Sequence, residues 1–338
     1  MSSQKRIVTA RDRIRRAYLD DKTPWIVGYS GGKDSTAVLK LTAQALAEVS
    51  TYHKPVTVVF CDTGVEVPCA AELAQRALRN FTAECAKADM PIETIAVEPR
   101  PQDRFFVKVI GRGYPPPTDK FRWCTDRLRI NPVSDLLRRK GHCKASVVVG
   151  VRADESSARN LTLAENTNGD RFWRRQNGFA NRCLFMPIID FSVDDVWAVN
   201  LDEGDNCVLR GREVADLYAQ ASDCPLERDK AGAPSKPARF GCWVCTVAKH
   251  GVTLRNLINS GRTELAPLLD FRIWLEQERS NPKFRWAKRR NGDPGPGPMT
   301  MSWRVEALER LLRAQELSGL NLISETEINA IHEAWEKE

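Results

Sequence analysis

Six consecutive residues, Ser30-Gly31-Gly32-Lys33-Asp34-Ser35, bring two glycines, two hydroxyls, an ammonium and a carboxylate into one short stretch. Glycines let backbone amides approach an anion closely. A helix that starts there adds unpaired N–H groups at the positive end of its dipole. Lys33 adds a full positive charge, and Ser30 and Ser35 add hydroxyl donors. The chemistry that such a turn serves is phosphate binding. It differs from the GxxxxGK[ST] loop, because Asp34 follows the lysine.

Two further segments supply groups of the same kind. Asp62-Thr63-Gly64-Val65-Glu66 carries carboxylates suited to a ribose or a magnesium ion, and Gly150-Val151-Arg152 pairs a glycine open to close approach with a guanidinium fork for phosphate. The expected nucleotide set is therefore Ser30, Gly31, Gly32, Lys33, Asp34, Ser35, Asp62, Gly150 and Arg152. In phosphoryl-type chemistry the protein mainly positions groups and neutralises charge, with Mg²⁺ as helper.

The ten cysteines divide into two kinds. Cys61, Cys69, Cys85, Cys143, Cys183 and Cys207 sit in apolar or mixed runs and read as small core or surface residues. Cys242-Trp243-Val244-Cys245 is a CxxC pair after Phe240-Gly241, Cys224 lies upstream between Asp223 and Pro225, and Cys124 follows Phe121-Arg122-Trp123. Four thiolates can complete a tetrahedral Zn²⁺ site or an iron–sulfur cluster. A redox CxxC is the alternative for the pair alone, and free buried thiols beside tryptophans are the third reading.

These residues need elements to hold them. Residues 5–22 read as a basic amphipathic helix with Ile7, Ile14, Ala17 and Leu19 on its less polar side. Trp25–Tyr29 reads as a strand that ends at the phosphate turn, and Thr36–Val49 as a helix with Val38, Leu39, Leu41, Ala45 and Leu46 at helical spacing. Val56–Cys61 is a continuous apolar run typical of a buried parallel strand, Val67–Ala88 reads as helix, and Ile92–Val97 as a third strand. Pro99–Asn131 is a long insertion, in which Gly111–Pro117 cannot be regular helix. Ser146–Gly150 is another strand, and 160–181 reads as loop. Ser192 is the expected N-cap of a helix with Asp194 and Asp195 in its first turn. Residues 220–250 read as a cysteine-containing loop and 252–278 as a helix or helix pair. A Gly/Pro break follows at 291–298, then helices near 302–317 and 323–337. The expected fold class is α/β, a doubly wound, mostly parallel sheet with the ligand at the C-terminal strand ends. The expected division is 1–200, the nucleotide domain with its insertion, and 201–338, a cysteine-containing loop and helical region.

The formal net charge is +7, and between Arg100 and Lys140 eleven Lys/Arg face four Asp. Arg171, Arg174, Arg175 and Arg182 add to the excess. A basic balance suits a polyanionic partner, nucleic acid above all. No apolar stretch is long enough to span a bilayer, and the polar start Met1-Ser2-Ser3-Gln4-Lys5-Arg6 lacks a signal-peptide core, so the expected location is the cytoplasm with no membrane partner.

The hexapeptide at residues 30–35 resembles the pyrophosphate loop of the PP-loop ATP pyrophosphatases, which include sulfate-assimilation reductases, tRNA thiolation enzymes and GMP synthetase. The resemblance implies an adenine nucleotide alpha hydrolase-like fold and cleavage of ATP between its α and β phosphates. With Met186-Pro187-Ile188-Ile189-Asp190 through Asp194-Asp195-Val196-Trp197, residues 24–200 look like the sulfate-reductase (PAPS reductase-like) branch. Gly111–Pro117, Phe121–Thr125 and Arg239–Thr246 resemble the DNA phosphorothioation sulfurtransferases of the DndC and SspD types. That likeness implies a [4Fe–4S] cluster on Cys124, Cys224, Cys242 and Cys245, with zinc as the lesser possibility. It also implies ATP and Mg²⁺ as cofactors. The implied partners are DNA, a cysteine desulfurase as sulfur donor, and other phosphorothioation subunits.

On that reading Lys33 neutralises charge on the departing pyrophosphate, Arg152 assists, and Asp34 or Asp62 helps to hold Mg²⁺. The cluster either relays sulfur or holds the insertion in place. Three rivals share the fold. A sulfonucleotide reductase would need a nucleophilic cysteine near a mobile C-terminal tail, and none follows Cys245. A tRNA thiolation enzyme would put sulfur in RNA, and a nucleotide-binding regulatory subunit would not turn over.

Overall fold

The computed structural model describes residues 2–52, 54–153, 170–175, 183–202, 209, 211–222, 240–247 and 251–338. Six strands form one sheet: β1 (Trp25–Tyr29), β2 (Val56–Cys61), β3 (Ile92–Val97), β4 (Ser146–Val148), β5 (Trp173–Arg175) and β6 (Cys183–Phe185). Their order is β3-β2-β1-β4-β6-β5. All neighbours pair in parallel except β5, which runs antiparallel to β6. The expected α/β class with a mostly parallel sheet is what the chain adopts. The polarity of 160–181 predicts a loop, but within it Trp173–Arg175 is an edge strand, and Trp173 stacks on Phe185 at 4.5 Å. Aromatic packing outweighs the polar flanks.

The order reverses at β1, which has β2 on one side and β4 on the other. Brought together there, the carboxyl ends of three strands open a crevice of the kind where α/β sheets bind ligands. The strands are apolar because both faces are covered. Helices α1 (Ser3–Asp20) and α2 (Lys33–Ala47) pack together, and Ala10, Ile14, Tyr18, Trp25, Val38, Leu41 and Val58 share one buried cluster. Leu19, expected on the less polar side of the first helix, is 47% exposed instead, because the helix buries Ala10, Ile14 and Tyr18.

Helices α3 (Pro68–Lys87) and α4 (Asn131–Arg139) flank β2 and β3. Helix α5 (Val193–Leu201) starts at Ser192 as expected. The Ser192 hydroxyl accepts from Asp195 N, and the Asp195 side chain accepts from Ser192 N, a reciprocal capping box. Helix α6 (Gly211–Gln220), α7 (Val252–Asn259), α8 (Ala266–Glu278), α9 (Met301–Ser318) and α10 (Glu325–Glu336) follow among the described residues.

The insertion is more ordered than its prolines suggest. Residues Val107–Gly111 form one wide helical turn with i→i+5 bonds, and Phe105, Phe106, Val109 and Ile110 are buried in a second core with Leu268, Phe271, Trp303 and Ile331. A wide turn leaves carbonyls without helical partners. Arg304 Nε donates to Ile110 O at 2.8 Å and Trp335 Nε1 donates to the same oxygen at 2.9 Å, so the C-terminal helices satisfy them. Among the described residues, no helix is long and apolar enough to cross a membrane.

Candidate active site

The phosphate turn lies between β1 and α2. Gly31 has φ +73°, a conformation that disfavours any side chain, and a Cβ there would stand 2.4 Å from the Ala74 Cβ. Gly32 is the N-cap of α2 in extended conformation and supplies no side-chain cap. Serines take over locally: Ser35 Oγ donates to Gly32 O at 2.9 Å, accepts from Ser30 N at 3.2 Å, and lies 3.1 Å from Ser30 Oγ. The helix begins three residues earlier than its apolar periodicity predicts, so Lys33, Asp34 and Ser35 form its first turn.

Charge in this turn is organised by one carboxylate. Asp34 Oδ2 accepts from Lys33 Nζ at 2.6 Å, and Asp34 Oδ1 accepts from Arg152 Nε at 2.6 Å. All three side chains are nearly buried, with one net positive charge between them. Gly150 is indispensable to this approach. A Cβ there would lie 2.7 Å from the Asp34 carbonyl carbon and oxygen and 2.9 Å from Ser35 N. The expected close approach at Gly150 is therefore made by the first turn of α2. Lys33, Asp34, Gly150 and Arg152 meet at this point.

Asp62 stands one strand away, just past the end of β2. Its Oδ1 accepts from Gly64 N at 3.0 Å and its Oδ2 from Gln75 Nε2 at 3.1 Å. Each oxygen thus keeps acceptor capacity for a hydroxyl or a metal-bound water.

Two contacts to the turn have no local signal in the sequence. The Tyr218 hydroxyl of α6 accepts from Lys33 N at 3.2 Å, and Asn200 Nδ2 of α5 donates to Lys33 O at 2.9 Å. Burial pushes the Tyr218 hydroxyl well above its usual pKa, so it remains a neutral phenol. A tyrosine on the inner face of a helix needs a partner for its polar tip, and that need is the one hint the sequence offers.

The CxxC segment docks directly against the strand-two end of the crevice. Trp243 N donates to Val65 O at 2.9 Å, and Glu66 and Cys242 form an antiparallel bridge. Thr246 Oγ1 donates to Pro117 O at 2.7 Å, and Arg272 Nε donates to Cys245 O at 3.0 Å. Trp123 Nε1 donates to Pro115 O at 3.1 Å, which seats Cys124 beside the same turn. Burial pushes the Cys242 thiol up to about 12, with Glu66, Cys245 and Cys124 adding and Arg129 opposing. Burial and Cys245 likewise raise Cys124.

Cys124, Cys242 and Cys245 thus lie within electrostatic reach of one another, although Cys124 is far from the pair in sequence. Cys224 lies outside the described residues, as do Cys207 and Arg182. Among the described residues, no three acid, thiol or imidazole groups already form a metal shell. Thiols are soft donors, and a bound metal converts buried, protonated thiols into thiolates.

Arg129 carries no distinguishing signal in the sequence. Its guanidinium faces Cys242, Glu66 and Cys61; burial lowers its pKa, and the interactions with these groups outweigh burial and raise it. The other cations of the insertion are largely spoken for: Arg100 by Asp135, Arg104 by Glu98 and Glu327, Lys108 and Arg127 by Asp103, and Arg122 by Asp119. Most cations of this segment are thus engaged in ion pairs.

The family model described as phosphoadenosine phosphosulfate reductase domain matches residues 24–248. An uncharacterized protein of Methanocaldococcus jannaschii is 30% identical over 238 residues, which is 70% of this chain and 39% of that protein. The chain thus spans well under half the length of that curated relative. Among solved structures, Candida glabrata FMN adenylyltransferase overlaps 91% of this chain and 80% of its own at 12% identity and TM-score 0.40. The U34-tRNA thiolase of Methanococcus maripaludis with its [4Fe–4S] cluster overlaps 90% and 88% at 10% and 0.38. Phosphoadenylyl-sulfate reductase of Candida auris overlaps 56% and 77% at 11% and 0.35. These overlaps are loose.

Proposed function

Because the chain belongs to the phosphoadenosine phosphosulfate reductase domain family, we propose that it is an ATP pyrophosphatase acting as the sulfurtransferase of DNA phosphorothioate modification. The observation that carries the nucleotide half is the Asp34 carboxylate held between Lys33 and Arg152 at the mouth of the sheet. A buried carboxylate spacing two cations is a ready exchange site for phosphate oxygens, which can take its place on both. The amides of Asp34 and Ser35 and the hydroxyls of Ser30 and Ser35 then serve the β and γ phosphates.

A non-bridging oxygen of a DNA phosphodiester attacks the α phosphorus, the bond to the β-phosphate oxygen breaks, and pyrophosphate leaves. Lys33 and Arg152 neutralise that leaving group, and Asp34 or Asp62 would help to hold Mg²⁺, which would supply further charge neutralisation. The terminal sulfur of a persulfide, supplied by a cysteine desulfurase, attacks the adenylated DNA phosphorus and AMP departs. A second thiol then cleaves the S–S bond, leaving sulfur on the DNA. Cys124, Cys224, Cys242 and Cys245 are the residues that would hold a [4Fe–4S] cluster, which supplies a sulfur-binding surface or fixes the insertion. Supporting its placement, the CxxC backbone is stitched to Val65 and Glu66, a few residues beyond Asp62.

The family match itself favours a second reading, a sulfonucleotide reductase. One experiment separates the two. Purified protein is given ATP, Mg²⁺, oligonucleotide and a persulfide donor, or adenylyl sulfate and a thiol reductant. The proposal requires AMP, pyrophosphate and labelled sulfur in DNA. Sulfite formed from adenylyl sulfate would establish the reductase, and label in tRNA would establish a tRNA thiolase.

A further inference from the structure

Residues 283–290 read Lys-Phe-Arg-Trp-Ala-Lys-Arg-Arg, five cations and two aromatics with no acid. After a short 3-10 turn at Pro282–Phe284, the segment from Arg285 forms one arm of a tight hairpin. Arg285 bridges to Met299 and Lys288 to Pro294, Trp286 N donates to Pro298 O at 2.9 Å, and Gly297 N donates to Trp286 O at 2.8 Å. A Cβ on Gly297 would lie 1.9 Å from Lys288 O, so the arms are in close contact. The hairpin is fastened to the insertion, where Met299 N donates to Gly113 O at 2.7 Å. From there Tyr114 packs edge-on against Trp123, the neighbour of Cys124.

Its charges divide into structural and unused ones. Arg285 donates to the carbonyls of Gly297, Arg279 and Pro296, and Arg290 approaches Glu338 at 3.5 Å. Lys283, Lys288 and Arg289 are exposed and have no ion pair among the described residues. Trp286 is 53% exposed, an unusual position for an indole. Trp286 and Lys288 are both exposed on this arm, two residues apart. A rigid arm that offers an indole beside unpaired cations matches the two needs of a single strand, a stacking platform for an unpaired base and charge for its phosphates. A duplex does not offer such a base.

We infer that the hairpin at residues 285–299 binds single-stranded nucleic acid, with Trp286 stacking on a base and Lys283, Lys288 and Arg289 contacting the backbone. This deepens the reading above by naming the form of its polyanionic substrate, yet it stands on the hairpin's own geometry.

The test is fluorescence anisotropy of labelled oligo(dT), oligo(U) and a mixed-sequence duplex, with no ATP present. The full chain is expected to prefer single strands. Trp286→Ala should weaken binding by about 5- to 150-fold while Trp286→Phe retains most of it. Lys288→Ala and Arg289→Ala should each lower the slope of log affinity against log salt by about 0.7. Tighter binding of oligo(dT) than of oligo(U) assigns DNA, and the reverse assigns RNA. Trp286→Ala binding like the unaltered chain, duplex binding equal to single strand, or binding only to phosphatidylcholine–phosphatidylserine vesicles would each overturn the inference. None of these readouts requires turnover. A chain that makes no AMP refutes the pyrophosphatase reading and leaves this result standing.

Discussion

Arg152 Nε lies 2.6 Å from Asp34 Oδ1, although 118 residues separate them in sequence. The other oxygen of that carboxylate holds Lys33 Nζ at the same distance. Asp34 therefore sets the spacing of the two cations that the phosphate turn presents.

Removing one of these cations should cost catalysis more than stability. Lys33→Ala is expected to lower pyrophosphate release by about 100-fold or more, the scale for losing a charged stabilising donor. A pyrophosphatase-coupled phosphate assay measures the rate and circular dichroism checks the fold. Release within a few-fold of the unaltered chain would remove Lys33 from the mechanism.

Gly150→Ala tests the contact between β4 and α2. The added carbon would stand 2.7 Å from backbone atoms of Asp34, which no side-chain rotation relieves. A loss of about 1–3 kcal/mol and a raised KM for ATP are expected, as the turn is pushed from its place. An unchanged melting temperature together with an unchanged KM would contradict the close approach.

Protein purified without oxygen is expected to be brown, with about four irons per chain. Cys124→Ser, Cys224→Ser, Cys242→Ser and Cys245→Ser should each lower the iron content, while Cys143→Ser, on the exposed surface, should not. Iron analysis and the visible spectrum decide this. Stoichiometric zinc without visible absorption would assign a structural zinc site.

Acid stability should depend on Asp195. Burial works to raise its pKa, but bonds from Arg6 and Ser192 outweigh it and hold the carboxyl below the usual range. The folded state thus binds that proton less readily than the unfolded chain. Its stabilisation is complete above about pH 4 and fades as pH falls through the lower folded value. Asp195→Asn is expected to lose about 1–3 kcal/mol at neutral pH, with the gap to the unaltered chain narrowing below about pH 4. Urea titrations at several pH values measure it, and a gap that stays constant into acid would show that charge is not the cause.

What can be read in advance is local. A run of six residues dictates its own backbone path, because the glycines permit it and the serines bond within it. Apolar runs such as Val56–Cys61 declare burial on both faces, and Ser192 with Asp195 declares a helix start. The edge strand at Trp173 escapes such a reading because its stabilising partner, Phe185, is supplied by another strand. The insertion escapes it in the same way: its wide turn at Val107–Gly111 is stabilised by Arg304 and Trp335 from the far end of the chain.

The amino-acid order alone determined the glycine–serine turn, the strands that flank it and the CxxC pair, since each depends on residues a few positions apart. Tertiary packing alone decided that Asp34 would join Lys33 to Arg152, that Tyr218 and Asn200 would grip the first turn of α2, and that the CxxC segment would lie against Val65 and Glu66. Contacts across a hundred residues or more carry no periodic or compositional trace. They are selected by which buried polar groups find partners once the apolar faces have closed.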